Sequence, residues 1–222
     1  MKEIVLDTET TGLSVKDGHR IVEIGCIELN DLLPTKNIFH YYLNPERKVS
    51  EKAFEVHGYS DEFLSDKKKF INIVDDFLNF IKDKKIIIHN AEFDISHLNN
   101  ELSLIGKEKI NKANIVDTLD IARNKFPGSA VSLDALCKRF RIDNSRREKH
   151  TALIDCELLA KVYINLLDQK EPTLNFVNHV EIKKNQDLKI NGEYSKKILK
   201  PSIDEIKNHK EFIKRDLKKN FY

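Results

Sequence analysis

Two carboxylates set two residues apart at the end of an apolar run, Asp7 and Glu9 after Ile4-Val5-Leu6, constrain this chain more than any other feature. Alternate side chains of a strand share a face, so both acids project the same way. At that spacing they repel, and each disfavours ionisation of the other unless a cation lies between them. Thr10-Thr11-Gly12 follows, supplying hydroxyls, backbone N–H groups and a permissive turn. Two more stretches repeat the theme. His89-Asn90-Ala91-Glu92-Phe93-Asp94 closes the apolar run Ile86–Ile88, and His150-Thr151-Ala152-Leu153-Ile154-Asp155 opens a helical pattern. Strand ends and helix starts are where α/β sheets assemble active sites.

The surrounding pattern supplies such a sheet. Lys2–Asp7, Arg20–Leu29 and Ile38–Leu43 read as strands parted by Gly12, Gly18 and the turn residues of Asn30–Pro34, an antiparallel meander. Phe70, Ile73, Val74, Phe77, Leu78 and Ile81 follow 3.6-residue spacing and predict one amphipathic helix. A strand is expected over Ile86–His89, a helix over Phe93–Ile105 ending at Gly106, and a strand over Ile115–Asp117. Helices are expected over Thr118–Lys125, Ser132–Phe140 and Ala152–Leu167. Three antiparallel strands followed by β-α-β-α units indicate an α/β fold: a ribonuclease H-like mixed five-stranded sheet flanked by helices.

Residues 1–169 make one domain of ordinary size within a chain of 222. They carry 25 Lys and Arg against 28 Asp and Glu, whereas residues 170–222 carry 13 against 8. The domain is mildly acidic, so attraction for a polyanion must come from bound metal, local patches or the tail. Residues 170–201 are polar with weak periodicity and read as a linker. Within 202–222 a helix resumes, with Ser202 as N-cap, Glu205 as its capping-box partner and Ile203, Ile206, Ile213 and Leu217 as an apolar stripe. A lone amphipathic helix behind a linker has no core of its own and docks on a partner. Cys26, Cys137 and Cys156 form no CxxC pair, which speaks against a disulfide framework or zinc site and for a reducing compartment. No run approaches the ~20 apolar residues of a membrane span, so a soluble, cytoplasmic protein is expected.

The site chemistry follows from the residue types. Asp94 falls in a helix's first turn, where the dipole favours an acid whatever its function. His150 and Asp155 are five apart, ~500° around a helix, so they would point ~140° apart on one helix. They converge only if His150 lies on the loop entering the helix. Together the four acids can hold two divalent ions ~3.5–4 Å apart, the arrangement used in phosphoryl displacement. Mg²⁺ prefers oxygen ligands and keeps several waters. His150 could accept the attacking water's proton. No elbow motif or Cys/His signature supports a serine or cysteine nucleophile.

The stretches Asp7–Gly12, His89–Asp94 and His150–Asp155 resemble, in order, the three exonuclease motifs of the DEDD superfamily in its histidine-containing branch. Val56–Leu64, Phe126-Pro127-Gly128, Ser132–Cys137 and Ile142–Ser145 through Val162-Tyr163 resemble the family of epsilon, or proofreading exonuclease, subunits of bacterial DNA polymerase III. That resemblance covers nearly all of residues 2–167. It implies a 3′→5′ exonuclease that removes misincorporated 3′-terminal nucleotides as deoxynucleoside monophosphates, with two divalent ions, Mg²⁺ or Mn²⁺. Asp7 would bridge both ions, Glu9 and Asp155 would ligate the nucleophile-side ion, Asp94 would support the second, and His150 would be the general base. Asp7, Glu9, Thr10, His57, Phe93 and Asp155 match positions that contact the substrate. Lys52 stands where relatives carry an acidic contact, a charge reversal. Asp204-Glu205-Ile206, His209 and Lys218-Lys219 are similar to the segment that binds the polymerase alpha subunit, and Glu171–Phe176 to a peptide that binds the sliding clamp, with Glu171 in place of the usual glutamine. A theta subunit is a further candidate partner. The competing expectations are a free-standing exoribonuclease of the ribonuclease T or oligoribonuclease type and a non-catalytic accessory that stabilises the polymerase.

Overall fold

The computed structural model describes residues 2–147, 149–168 and 201–216. Among them five strands form one sheet: β1 (Lys2–Thr10), β2 (Ile21–Asn30), β3 (Leu33–Tyr42), β4 (Lys85–Ile88) and β5 (Ile115–Asp117), in the order β3-β2-β1-β4-β5. β1 to β3 form the antiparallel meander, and β4 and β5 add in parallel. The expected mixed sheet is therefore present, with β1 at its centre.

Side-chain alternation divides the core into two layers. Ile4, Leu6, Ile86 and Ile88 face one side, against Phe77 of α3 (Val74–Ile81) and Leu98 of α4 (Ala91–Leu104). Val5, Ile27 and Ile87 face the other. There they meet α5 (Thr118–Lys125), α6 (Leu133–Phe140) and α7 (Ala152–Leu166), through Ala122, Leu136, Leu159 and Val162. Each fully buried Leu, Ile or Phe contributes about 1.5–3 kcal/mol, so these layers, rather than the polar strand ends, hold the sheet together. Cys26, Cys137 and Cys156 are free thiols buried within them.

Several boundaries differ from expectation for local reasons. β1 does not stop at Asp7, because Asp7, Thr8 and Glu9 still pair with Gly25, Ile24 and Glu23; a bulge follows Glu9. β3 begins at Leu33, five residues early. Asp31 and Leu32, both at positive φ, make a two-residue hairpin turn, and Pro34 is tolerated because β3 is an edge strand. The expected helix over 70–81 is a 3₁₀ turn at Phe70–Asn72 followed by α3. Two short helices were not anticipated, α1 (Glu51–His57) and α2 (Asp61–Ser65). Neither is long enough to show periodicity. Their signal is the caps: Ser50 accepts from the Ala53 N–H, Ser60 accepts from the Phe63 N–H, and Gly58 ends α1 at φ 78°.

A separate unit contains α8 (Ile203–Asp216). Its N-terminus is the expected capping box: the Ser202 N–H donates to Glu205 Oε2 (2.7 Å) and the Glu205 N–H donates to Ser202 Oγ (3.2 Å). Ile203 and Ile206 are exposed. The proposed linker, the Glu171–Phe176 segment, Leu217 and Lys218-Lys219 lie outside the described residues.

Gly25 connects fold and site. It pairs with Asp7 and lies beneath the first turn of α7, where an added Cβ would stand 2.7 Å from the Ala152 carbonyl carbon. Backbone cannot yield as a side chain can, so Gly25→Ala must lift α7 from the sheet. It is expected to cost about 1–3 kcal/mol, read as a lower midpoint in urea unfolding. An unchanged midpoint would contradict this packing.

Candidate active site

The alternation that builds the core also aims the acids. Asp7 and Glu9 leave the side of β1 that faces α7, as Val5 does. Gly25 lets the start of α7 settle beside them. His150 lies on the loop before α7, Thr151 is the N-cap, and Asp155 sits in the first turn. This is the loop-then-helix arrangement that a spacing of five demands, and His150 Nδ1 comes within 3.3 Å of Asp155 Oδ2. One ligand atom each from Glu9, His150 and Asp155 lies within 4.8 Å of the other two.

Asp94 arrives from the opposite layer, on α4. Its Oδ1 accepts from the Thr8 backbone N–H (3.0 Å) and the Thr8 hydroxyl (2.7 Å). The position of α4 is fixed by Asp117 at the end of β5. That carboxylate accepts from the N–H groups of Asn90 (3.0 Å), Ala91 (2.9 Å) and Leu119 (2.8 Å), capping two helices at once. Asn90 turns into α4 at φ 66°, a conformation Asn tolerates better than most residues.

Burial and mutual repulsion dominate the electrostatics. Burial, then Asp94, Glu9 and Asp155, hold the Asp7 carboxyl well above the ordinary range. Burial, then Asp155 and Glu23, push Glu9 up to about 8 against the pull of Arg147. Burial lifts Asp94 to about 7 although both Thr8 hydrogen bonds oppose it. Asp155 alone is lowered: burial raises it, but His150 and Arg147 outweigh that. Such a set is short of positive charge, and its oxygen donors suit a hard divalent cation.

Two participants were missed in the sequence. Glu23, fully buried on β2, accepts from His40 Nε2 (2.7 Å), the Tyr59 hydroxyl (2.8 Å) and the Ala152 N–H (2.9 Å). It thereby ties β3, the chain after α1 and the start of α7 together; a single acid inside a strand gives no sign of this. Arg147 forks onto Asp155, with Nε to Oδ1 at 2.5 Å and Nη2 to Oδ2 at 2.7 Å. The adjacent Arg146 pairs with exposed Glu157 instead, and nothing in the sequence separates the two arginines.

Beside Glu9 opens a cavity of about 530 Å³ whose walls include Thr10, Leu13, Lys52, His57 and Phe93. Four of the expected contact residues thus gather at one place, and Lys52 joins the wall with its charge reversed. His57 stacks on Tyr59 at 4.8 Å between centroids, and burial pushes its imidazole toward the neutral form. The Thr10 hydroxyl donates to the Gly12 carbonyl (2.8 Å).

Comparison with known proteins extends these observations. A family profile described as Exonuclease, RNase_T, matches residues 4–163. The chain is 48% identical over 224 residues to the DNA polymerase III subunit epsilon of Rickettsia conorii, covering 98% of this chain and 97% of that one. It is 48% identical over 171 residues to the subunit of the same name from Salmonella typhimurium, covering 73% and 70%. In fold it is similar to the nuclease domain of 3′hExo, a DEDDh family member solved bound to rAMP, with TM-score 0.66 and 18% identity over 76% of this chain and 92% of that one.

The raised carboxyls give the metal-free protein a characteristic pH dependence. Between about pH 4.5 and 8 the folded state holds protons on Glu9 and Asp94 that the unfolded chain has released. Unfolding then takes up fewer protons than these two groups release, so their contribution to stability falls as pH rises. Buried His57, His89 and His97 are held toward the neutral form and act in the opposite sense, so the diagnostic is the gap between the melting midpoints in Mn²⁺ and in EDTA. That gap should widen from pH 5 to pH 8.5; a constant gap would contradict the buried-acid assignment.

Proposed function

The chain belongs to the exonuclease family and, within it, to the DNA polymerase III epsilon subunits, and from that premise we propose how its residues perform 3′→5′ proofreading. Asp7, Glu9, Asp94 and Asp155 hold two divalent ions, Mg²⁺ or Mn²⁺. The donor set fits such ions: its carboxylates are largely buried, and two of them, Glu9 and Asp155, already converge beside His150 within 4.8 Å. When bound, the ions acidify the attacking water and stabilise charge on the leaving oxygen.

His150 takes the proton from that water. Hydrolysis breaks the bond between phosphorus and the 3′-oxygen of the preceding nucleotide, releasing a deoxynucleoside monophosphate. The cavity walled by Thr10, Lys52, His57 and Phe93 receives the terminal nucleotide, whose base has an aromatic face to meet in Phe93. A mispaired terminus costs less to unstack than a paired one, so it reaches the cavity more often. The observation that carries this reading is the meeting of Glu9, His150 and Asp155 at a buried strand end beside a cavity of nucleotide size.

The protein works within the DNA polymerase III complex on a DNA substrate. We assign residues 1–169 to the exonuclease domain, 170–201 to a linker and 202–222 to the segment that binds the alpha subunit. Ile203 and Ile206 of α8 support the last assignment, being exposed one helical turn apart. A theta subunit and, through Glu171–Phe176, the sliding clamp are further proposed partners. No helix among the described residues is long and apolar enough to cross a membrane.

Digestion of a 3′-mismatched DNA primer tests the assignment. Asp7→Ala should abolish metal-dependent hydrolysis yet still co-elute with the polymerase, whereas deleting residues 202–222 should leave hydrolysis of short single strands intact and end co-elution. Faster cutting of the matching RNA would reject the proofreading reading. His150→Ala should slow hydrolysis by ~10²–10⁴, the usual range for a general base; a loss below about threefold would remove it from that role.

A further inference from the structure

Arg147 stands among the reacting groups without belonging to the acid and histidine set. Its side chain is 7% exposed and makes four close contacts: both oxygens of Asp155 at 2.5 and 2.7 Å, His150 Nδ1 at 2.8 Å, and Asp134 Oδ1 at 2.8 Å. Each contact on the catalytic side uses an atom the reaction needs. A guanidinium fork engages both oxygens of a carboxylate in its own plane, so a forked Asp155 keeps only its outer lone pairs for a cation and cannot present both oxygens to it. A neutral imidazole has one free lone pair. His150 Nδ1 lies 2.8 Å from Nη2 and 3.3 Å from Asp155 Oδ2, so Arg147 and Asp155 compete for one ring nitrogen.

Resting on the proposed metal reading, we infer that Arg147 is a stand-in cation: its guanidinium forks onto Asp155 and lies against His150, and it must release the Asp155 fork before a metal ion takes its place. Asp134, half exposed on α6, holds the other edge of the guanidinium. Arg147 can therefore retain one ion pair as it leaves Asp155. A divalent ion brings twice the charge to a site with three further carboxylates, which favours the exchange. The device keeps the His150 loop folded against α7 between metal-binding events, at the expense of competition with the metal.

Mn²⁺ binding by titration calorimetry on the full-length chain tests this, with Arg147→Gln and Arg147→Lys beside the unaltered protein. Competition predicts that Arg147→Gln binds Mn²⁺ roughly tenfold tighter, as removal of a charge-assisted fork allows, while melting at a lower temperature in EDTA. A residue that merely supported the fold would give weaker binding together with lower stability. Lysine keeps the charge but cannot fork, so Arg147→Lys should bind about threefold tighter than the unaltered chain. If it binds no more tightly while Arg147→Gln does, the effect is charge repulsion and the displacement is refuted. Unchanged or weaker binding by Arg147→Gln refutes it as well. Should Arg147→Gln fail to fold, Arg147→Lys decides alone. Failure of the unaltered protein to bind Mn²⁺ would instead sink the metal assignment itself.

Discussion

Carboxylates buried together without enough positive charge are the constraint around which this molecule is arranged. Water would solvate each acid cheaply. Inside the protein burial displaces Asp7, Glu9 and Asp94 upward together, and for Asp7 and Glu9 the neighbouring carboxylates add to it. The fold tolerates the arrangement because two apolar layers on either side of the sheet supply the stability that the strand ends do not. Under the proposed metal assignment a divalent cation relieves this repulsion, and stability, metal binding and activity would all act through the same few oxygens.

The geometry is produced by ordinary strand rules applied at one place. Alternation sends Asp7 and Glu9 toward α7 and leaves Thr8 to hold Asp94 from α4. Gly25 gives α7 room to approach, Glu23 fastens its first N–H, and Asp117 fastens the first N–H of α4. Each proposed catalytic side chain is thus placed by backbone that is itself anchored to the sheet. Positioning of this kind is what electrostatic catalysis requires, because groups fixed beforehand need not reorganise during reaction.

Much of this could be read from the residues alone. The sheet, the acids, and the loop position of His150 follow from periods of 2 and 3.6 residues and from motif spacing. The family resemblance rests on the same three stretches. What escaped was of two kinds. Short helices such as α1 and α2 carry no periodicity, only caps. Long-range partners such as Glu23 and Arg147 act through contacts that sequence proximity does not encode; Arg146 and Arg147 are neighbours with unrelated surroundings. The expected single helix over residues 70–81 shows the opposite error, because a 3₁₀ turn presents nearly the same apolar spacing as the helix that follows it.

The three thiols hold a practical consequence. Cys26, Cys137 and Cys156 are sealed inside the layers, and burial drives each away from the thiolate form; Cys156 Sγ is 3.2 Å from the carbonyl of Gly25, the residue that pairs with Asp7. Alkylating reagents attack thiolates, so they have nothing to react with until the layers part. Iodoacetamide uptake is accordingly a built-in clock for opening of the domain, and a single cysteine engineered on the surface would carry a fluorophore without competition from the native three.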